Sequence, residues 1–217
     1  MVREYHVLII TELAENLRNK KMTIKRVCVF ASSSNYLDEI YYKDSKELGK
    51  LLGQNGYDIV YGGSTLGMMW ACAGEVQNNG GKVYGVMPQR LADMGCKTNN
   101  CDEFFMAKGM RDRKQKMDDI SDAVIALAGG FGTLEELTEM IVQKQLGYNK
   151  KPIIILNTNG FYDKLIEFFE NIINEKFANK ISKDLYYIAN TPQQALEYLQ
   201  NYKEPINLPS KHEIYTR

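Results

Sequence analysis

Short runs of β-branched residues alternate with longer stretches of helical periodicity along most of the chain. This alternation is typical of βαβ units, in which right-handed crossovers place helices on both faces of a parallel sheet. The sequence therefore predicts an α/β fold, a Rossmann-like doubly wound parallel sheet in a single domain. The predicted strands are 26–31, 57–61, 82–87, 123–128 and 152–157, and the predicted helices are 36–55, 66–78, 109–120, 133–147, 161–175 and 191–200.

The organisation of the chain follows from this pattern. Residues 22–203 are expected to form the Rossmann-like domain, preceded by an extension at 1–21 and followed by a polar tail at 204–217. The amphipathic extension is either an additional helix packed on the domain or the product of an upstream translation start. In the first predicted helix, Leu48 and Leu52 fall on one stripe, which we expect to face the core.

Composition excludes several classes of partner. Lys plus Arg and Asp plus Glu both number 27, so the chain lacks the basic excess that is typical of nucleic-acid-binding proteins. Its apolar runs are far shorter than the roughly 20 residues that cross a bilayer. The N-terminus does not resemble a signal peptide. We therefore expect a cytoplasmic protein that binds neither nucleic acid nor membrane.

The four cysteines are scattered, and only Cys96 and Cys101 are near neighbours. They show neither the spacing of a disulfide framework nor the paired CxxC spacing of a zinc site. Reduced thiols are the favoured interpretation, and a zinc site or a bridge at Cys96 and Cys101 is the alternative. No metal is expected.

The first informative loop follows the strand that ends at Tyr61. It comprises Gly62, Gly63, Ser64 and Thr65, and a helix comes directly after it. Glycines allow a ligand to approach the backbone closely, and the free N–H groups of a helix N-terminus favour an anion. The loop is therefore a candidate phosphate site. A tight turn without a ligand is the alternative.

A second loop of the same kind contains Gly129, Gly130 and Gly132 and opens another helix. Thr133 can either cap that helix or bond a phosphate oxygen, and Glu136 lies at capping-box spacing from it. In a doubly wound sheet, loops after separate strands converge on one crevice. Neither loop matches the Walker A or dinucleotide-binding pattern, which disfavours triphosphate hydrolysis and NAD chemistry.

A third element, residues 110–117, is predicted to be helical. Met110, Met117 and Ile120 can face the core while Arg113 and Lys114 reach the crevice. A solvated charged face is the alternative.

The three elements occur together and in this order, and in this the sequence resembles the LONELY GUY family of nucleoside 5′-monophosphate phosphoribohydrolases. The family patterns are a Gly-Gly loop ending in Gly-x-Met, a Met-x-x-Arg-Lys-x-x-Met helix and Pro-Gly-Gly-x-Gly-Thr-x-x-Glu. The likeness spans roughly residues 27–170. The segments that carry it are 62–69, 110–117 and 129–136, with further similarity at 28–34 and 145–147.

The resemblance implies hydrolysis of an N-glycosidic bond, which releases a free base and ribose 5-phosphate. It places the catalytic pair on Arg113 and Glu136. We assign to Glu136 the stabilisation of the oxocarbenium-like ribose and the orientation of water, and to Arg113 the fixing of phosphate, ribose or base. No cofactor is implied. An older family label, lysine decarboxylase, is disfavoured because no Schiff-base lysine in a pyridoxal phosphate setting is present.

The expected substrate is a small nucleotide, and several departures from the family pattern bear on which one. Ala128, Trp70 and Ser64 replace residues that are usually proline or glycine, and residues 89–100 offer Asp93 as the only acid. Trp70 either packs in the core or reshapes the base pocket. AMP or another purine monophosphate is therefore favoured over a cytokinin precursor. The expected substrate-binding residues are Gly62, Gly63, Ser64, Thr65, Lys114, Gly129, Gly130, Gly132, Thr133 and Glu135.

Two alternatives remain at this stage. The chain could be a non-catalytic nucleotide or cofactor carrier of the same fold, or a hydrolase of another phosphoribosyl compound such as a pyrimidine monophosphate. The resemblance also implies a homodimer or higher homo-oligomer with sites near the subunit interface. The apolar residues Leu137, Ile141, Val142 and Leu146 fit such a face, but they equally fit the monomer core.

Overall fold

The computed structural model describes residues 23–204, so the predicted extension at 1–21 and almost all of the predicted tail lie outside the described residues. Within the described range, seven strands form one fully parallel sheet in the order β4-β3-β2-β1-β5-β6-β7. The strands are β1 Arg26–Phe30, β2 Asp58–Tyr61, β3 Val83–Pro88, β4 Glu103–Ala107, β5 Ala123–Ala126, β6 Ile153–Leu156 and β7 Tyr187–Ala189. The α-helices are α1 Glu39–Gln54, α2 Gly67–Asn78, α3 Gln89–Asp93, α4 Met110–Asp119, α5 Phe131–Gln145, α6 Asp163–Asn174 and α7 Pro192–Asn201.

The sheet has a separate core on each face, because successive side chains of a strand point in opposite directions. Val27 and Val29 of β1 pack in one cluster with helices α1, α2 and α7. Cys28 and Phe30 of the same strand pack in the other cluster with α4, α5 and α6. The predicted doubly wound α/β fold is confirmed.

Five predicted strands are present with shifts of one or two residues at their ends, and two further strands were missed. Both missed strands are edge strands, and the side chains of β4 are mostly half-buried or exposed. Such a strand lacks the continuous apolar run that marks a strand buried on both faces. The predicted stripe on α1 is confirmed, since Leu48 and Leu52 are fully buried. No helix of the described part of the chain is long and apolar enough to cross a membrane.

One lysine is buried without a counter-ion near the C-terminal end of α5. Lys144 has no exposed surface, and no carboxylate within residues 23–204 pairs with it. Its ammonium donates hydrogen bonds to the Lys151 carbonyl at 2.8 Å and to the Tyr202 hydroxyl at 3.2 Å. The Tyr202 hydroxyl in turn donates to the Lys150 carbonyl at 2.6 Å. These bonds tie the end of α7 to the loop that enters β6.

Burial lowers the pKa of Lys144 from 10.5 to about 8. Between these two pH values the unfolded chain binds more protons than the folded one, so this group makes the free energy of unfolding rise with pH. We expect Lys144→Met to gain stability relative to wild type at pH 7, and this advantage to shrink by about 1–3 kcal/mol at pH 10. Urea unfolding at both pH values measures the difference. The exposed Lys50→Met is the control, and a Lys144→Met advantage that is independent of pH contradicts the prediction.

Candidate active site

The candidate site lies at the topological switch point of the sheet, where successive strands are added first on one side of β1 and then on the other. Strand β1 is central, and its neighbours β2 and β5 lie on opposite sides of it. The loops that follow these three strands are hydrogen-bonded to one another: the Ser32 N–H donates to the Ala128 carbonyl at 3.3 Å, and the Met68 N–H donates to the Ser32 carbonyl at 3.0 Å. Ligands of doubly wound sheets bind at this switch point. The predicted convergence of the two glycine loops is confirmed.

A buried ion pair joins two helices beneath these loops. Arg113 of α4 donates from Nη1 to Oε1 of Glu136 on α5 at 2.6 Å. Both side chains are nearly inaccessible, with 11% of Arg113 and 9% of Glu136 exposed. Arg113 also donates from Nε to the Val86 carbonyl at 3.2 Å, in the C-terminal half of β3. The structure therefore brings together the two residues that the sequence assigned to catalysis.

Burial sets the protonation of this pair. It raises the pKa of Glu136 above its ordinary value, whereas the Arg113 guanidinium lowers it through its charge and its hydrogen bond. Burial and Arg113 thus shift the pKa of Glu136 in opposite directions, and the hydrogen bond from Arg113 also fixes the orientation of the carboxylate.

The second glycine loop leads directly into α5. The helix begins at Phe131 with Gly130 as its N-cap, and no side chain caps it. The alternative in which Thr133 caps the helix is therefore wrong, and Glu136 bonds Arg113 rather than completing a capping box. Because no side chain occupies this terminus, its N–H groups and the helix dipole are available to an anion.

The first glycine loop is shaped by close packing and backbone geometry. Gly63 has φ +75°, a left-handed conformation that favours glycine. Its carbonyl accepts a hydrogen bond from the Thr98 N–H at 3.0 Å. The Ser64 hydroxyl accepts from the Leu66 N–H at 3.3 Å, so Ser64 stabilises the turn, whereas Thr65 is exposed.

Lys114 and Glu135 were both expected to contact substrate, and the structure pairs them with each other. The Lys114 ammonium bonds the carboxylates of Glu135 and Glu139. These interactions raise the pKa of Lys114, although burial opposes them. The three side chains form a charged cluster on the outer side of the Arg113–Glu136 pair, joined to it through adjacent positions on α4 and α5.

Other expectations for this region have mixed outcomes. Met117 is buried as expected, but Met110 is half exposed because it is the first residue of α4. The solvated-face alternative is wrong for Arg113, which is buried. Trp70 packs against Tyr61, with ring centroids 6.3 Å apart, and borders the first core cluster, which favours its packing role.

The thiols of Cys96 and Cys101 are both free. Across residues 23–204, no three His, Cys, Asp or Glu side chains are grouped so that they could hold a metal ion.

Two contributions to the site were missed in the sequence. The Val86 carbonyl that accepts from Arg113 carries no side-chain signal, so no pattern could have found it. The Asn35 side chain accepts a hydrogen bond from the Gly67 N–H at 2.8 Å and so joins the loop after β1 to the first glycine loop. Asn35 directly follows the serine run at 32–34, and this polar run after a buried strand was its only signal.

The sheet, the two glycine loops and the buried ion pair define a Rossmann-like α/β protein with its site at the topological switch point. The family model described as "Possible lysine decarboxylase" matches residues 69–199. The chain belongs to this family, the LONELY GUY family.

Relatives from plants support the assignment. Cytokinin riboside 5′-monophosphate phosphoribohydrolase LOG of Oryza sativa subsp. japonica is 36% identical over 183 residues, which cover 84% of this chain and 76% of that protein. The Arabidopsis thaliana enzyme of the same name, LOG2, is 34% identical over 186 residues, which cover 86% of this chain and 87% of that protein.

Solved structures with lower identity share the fold. The molybdenum cofactor binding protein from Rippkaea orientalis superposes with a TM-score of 0.63 at 22% identity, covering 83% of this chain and 98% of that one. The molybdenum cofactor carrier protein from Chlamydomonas reinhardtii has a TM-score of 0.62 at 19% identity, covering 82% of this chain and 97% of that one. At this level of identity the likeness concerns the architecture.

The second glycine loop provides a matched pair of substitutions. A Cβ atom at Gly129 would overlap Oγ1 of Thr133 and lie 2.6 Å from its Cβ, whereas one at Gly130 would meet nothing within 4 Å. Because Thr133 is buried, we expect Gly129→Ala to lower the free energy of unfolding by about 1–3 kcal/mol. Gly130→Ala should change it by less than about 1 kcal/mol. Urea unfolding measures both, and equal effects would contradict the packing argument.

Proposed function

We propose that this protein hydrolyses the N-glycosidic bond of a purine nucleoside 5′-monophosphate, AMP or a cytokinin riboside monophosphate, to give the free base and ribose 5-phosphate. The observation that carries the proposal is the buried Arg113–Glu136 ion pair at the switch point of the sheet. Membership of a family whose curated relatives are named phosphoribohydrolases supports it.

Glu136 has the chemistry that this reaction needs. Departure of the base leaves positive charge on C1′ and the ring oxygen of the ribose, and a nearby carboxylate stabilises that charge. The same carboxylate can accept a proton from the attacking water. Water then supplies the hydroxyl group on C1′, and the base leaves with a proton. In this scheme Arg113 keeps Glu136 ionised before the substrate arrives.

The phosphate is assigned to the second glycine loop. The uncapped N-terminus of α5 offers N–H groups and a favourable dipole to a dianion. Gly130 and Gly132 carry no side chains that would keep the ligand away, and the space around both positions is open. A phosphate held here, about one and a half helical turns from Glu136, is what would make the enzyme selective for nucleotides over nucleosides.

We expect Glu136→Gln to lower kcat for adenine release from AMP by about 10²–10³. Gln keeps the size of the side chain but removes the charge that the oxocarbenium-like ribose requires. Arg113→Ala should lower kcat by a comparable factor, because it leaves Glu136 buried without its cation. Chromatographic detection of the released base measures both variants. The control is Glu167→Gln, which removes a carboxylate from an exposed surface pair on α6.

A substrate panel tests the remaining choices. AMP should be hydrolysed, whereas adenosine and ATP should not, because one lacks the phosphate and the other presents a longer and more highly charged one. Preference for UMP would instead favour the pyrimidine alternative. Saturable AMP binding without base release from any nucleotide would overturn the proposal in favour of a nucleotide carrier.

We also propose that the chain forms a homodimer through the outer face of α5. Leu137 is buried in the monomer, but Val142 on the same helix and its C-cap residue Leu146 are 48% and 41% exposed. Phe168 on helix α6, which packs on the same face of the sheet, is 57% exposed. Exposed apolar residues on two helices of one face of the sheet support an interface rather than a solvated face.

Val142→Asp should shift the protein from dimer to monomer. A carboxylate at the centre of an apolar interface would lose its hydration without gaining a partner. Sedimentation velocity measures the mass, and we expect the affinity of dimerisation to fall by at least about tenfold. Gln54→Asp on α1, at the opposite face of the sheet, is the control. A wild-type protein that sediments as a monomer would contradict the proposal.

A further inference from the structure

Gly62 is the first residue after strand β2, and its backbone is buried. Its φ angle lies outside the left-handed region, in contrast to that of Gly63. The backbone conformation therefore does not require glycine at this position. The requirement is one of space: a Cβ atom at Gly62 would lie 2.7 Å from Nη2 of Arg113 and 3.1 Å from Sδ of Met69.

Arg113 is thus held on three sides. Its Nη1 bonds Glu136 at 2.6 Å, its Nε bonds the Val86 carbonyl at 3.2 Å, and its Nη2 faces the bare backbone of Gly62. A methyl group at Gly62 would push on the far end of a flexible side chain. That end can move only by lengthening its bonds to Glu136 or to Val86. Accommodating the methyl group would therefore weaken the hydrogen bonds that hold Arg113, including the one to Glu136.

We propose that Gly62 is a positioning residue, which acts through Arg113 on Glu136 by leaving the space that the guanidinium occupies. This assignment differs from the expectation that Gly62 serves the phosphate. The inference rests on the proposed function in so far as Glu136 is the catalytic carboxylate. The placement of Arg113 against Gly62 does not depend on that function.

Displacement of Arg113 changes the balance of charge around Glu136. On α4, Arg113 and Lys114 both lower the pKa of Glu136, and on α5 the neighbouring Glu135 raises it. Cys28 lies beneath the pair on β1, and burial keeps its thiol neutral by raising its pKa. With Arg113 moved away, the effect of burial, which is already the largest, is opposed less. The carboxyl group then takes up its proton at a higher pH.

The first experiment compares wild type with Gly62→Ala in AMP hydrolysis. We expect kcat to fall about 10–100-fold, KM for AMP to change less than about threefold, and the acid limb of the pH profile to move to higher pH. The control is Gly109→Ala, at the N-cap of the helix that carries Arg113, where a Cβ atom would meet nothing within 4 Å. A raised KM with unchanged kcat and pH profile would overturn the proposal and assign Gly62 to the phosphate.

A double-mutant cycle separates this inference from the proposed function. The Glu136 carboxyl titration, followed by ¹³C NMR, should shift upward in Gly62→Ala but show no further shift when Gly62→Ala is added to Arg113→Ala. This readout needs no turnover, so it decides the role of Gly62 even if wild type releases no base. An unshifted titration in Gly62→Ala overturns the proposal.

The cycle also covers the case in which Gly62→Ala does not fold. Removal of the Arg113 side chain frees the space that the methyl group needs, so the double variant should then recover a cooperative unfolding transition. If neither the single nor the double variant folds, the methyl group is obstructed by something other than the guanidinium, and the proposal fails.

Discussion

The buried pair of Arg113 and Glu136 is the interaction on which the site depends. It joins helix α4 to helix α5 on one face of the sheet, and the Val86 carbonyl fixes the guanidinium to the C-terminal half of β3. A buried ion pair gains little stability overall, because desolvation of the charges opposes their attraction. Removal of one partner, in contrast, leaves an uncompensated charge. The arrangement is therefore better suited to defining one geometry than to stabilising the fold.

The surrounding backbone fixes the position of the ion pair relative to the candidate anion site. Loops after β1, β2 and β5 are hydrogen-bonded to one another, and Asn35 links two of them. The uncapped start of α5 directly follows the loop after β5, and Glu136 lies five residues after the first residue of the same helix. Under the proposed function, phosphate recognition and glycosidic chemistry therefore share one helix. This geometry is consistent with a family whose curated members are named phosphoribohydrolases.

The sequence was most informative where burial is complete. Strands β1, β2, β3, β5 and β6 could be predicted because they are largely buried on both faces, whereas the edge strands β4 and β7 lack that signal. Arg113 and Glu136 were identified by resemblance, yet the spacing of Thr133 and Glu136 suggested a capping box. That interpretation failed because α5 begins at Phe131, before Thr133. The Val86 contact is made by a backbone carbonyl group, which every residue has, so residue type could not have predicted it.

The central position of β1 has a consequence for the order in which the molecule is assembled. Val27 of β1 pairs with Ile59 of β2 nearby in the chain, but its other partner is Ala123 of β5. The Asp122 carboxylate accepts hydrogen bonds from the Lys25 and Arg26 N–H groups, and it is synthesised directly before Ala123, long after β1. During synthesis, the central strand of the sheet therefore keeps an open edge until β5 emerges, and this nascent half-sheet is the stage most exposed to intermolecular pairing.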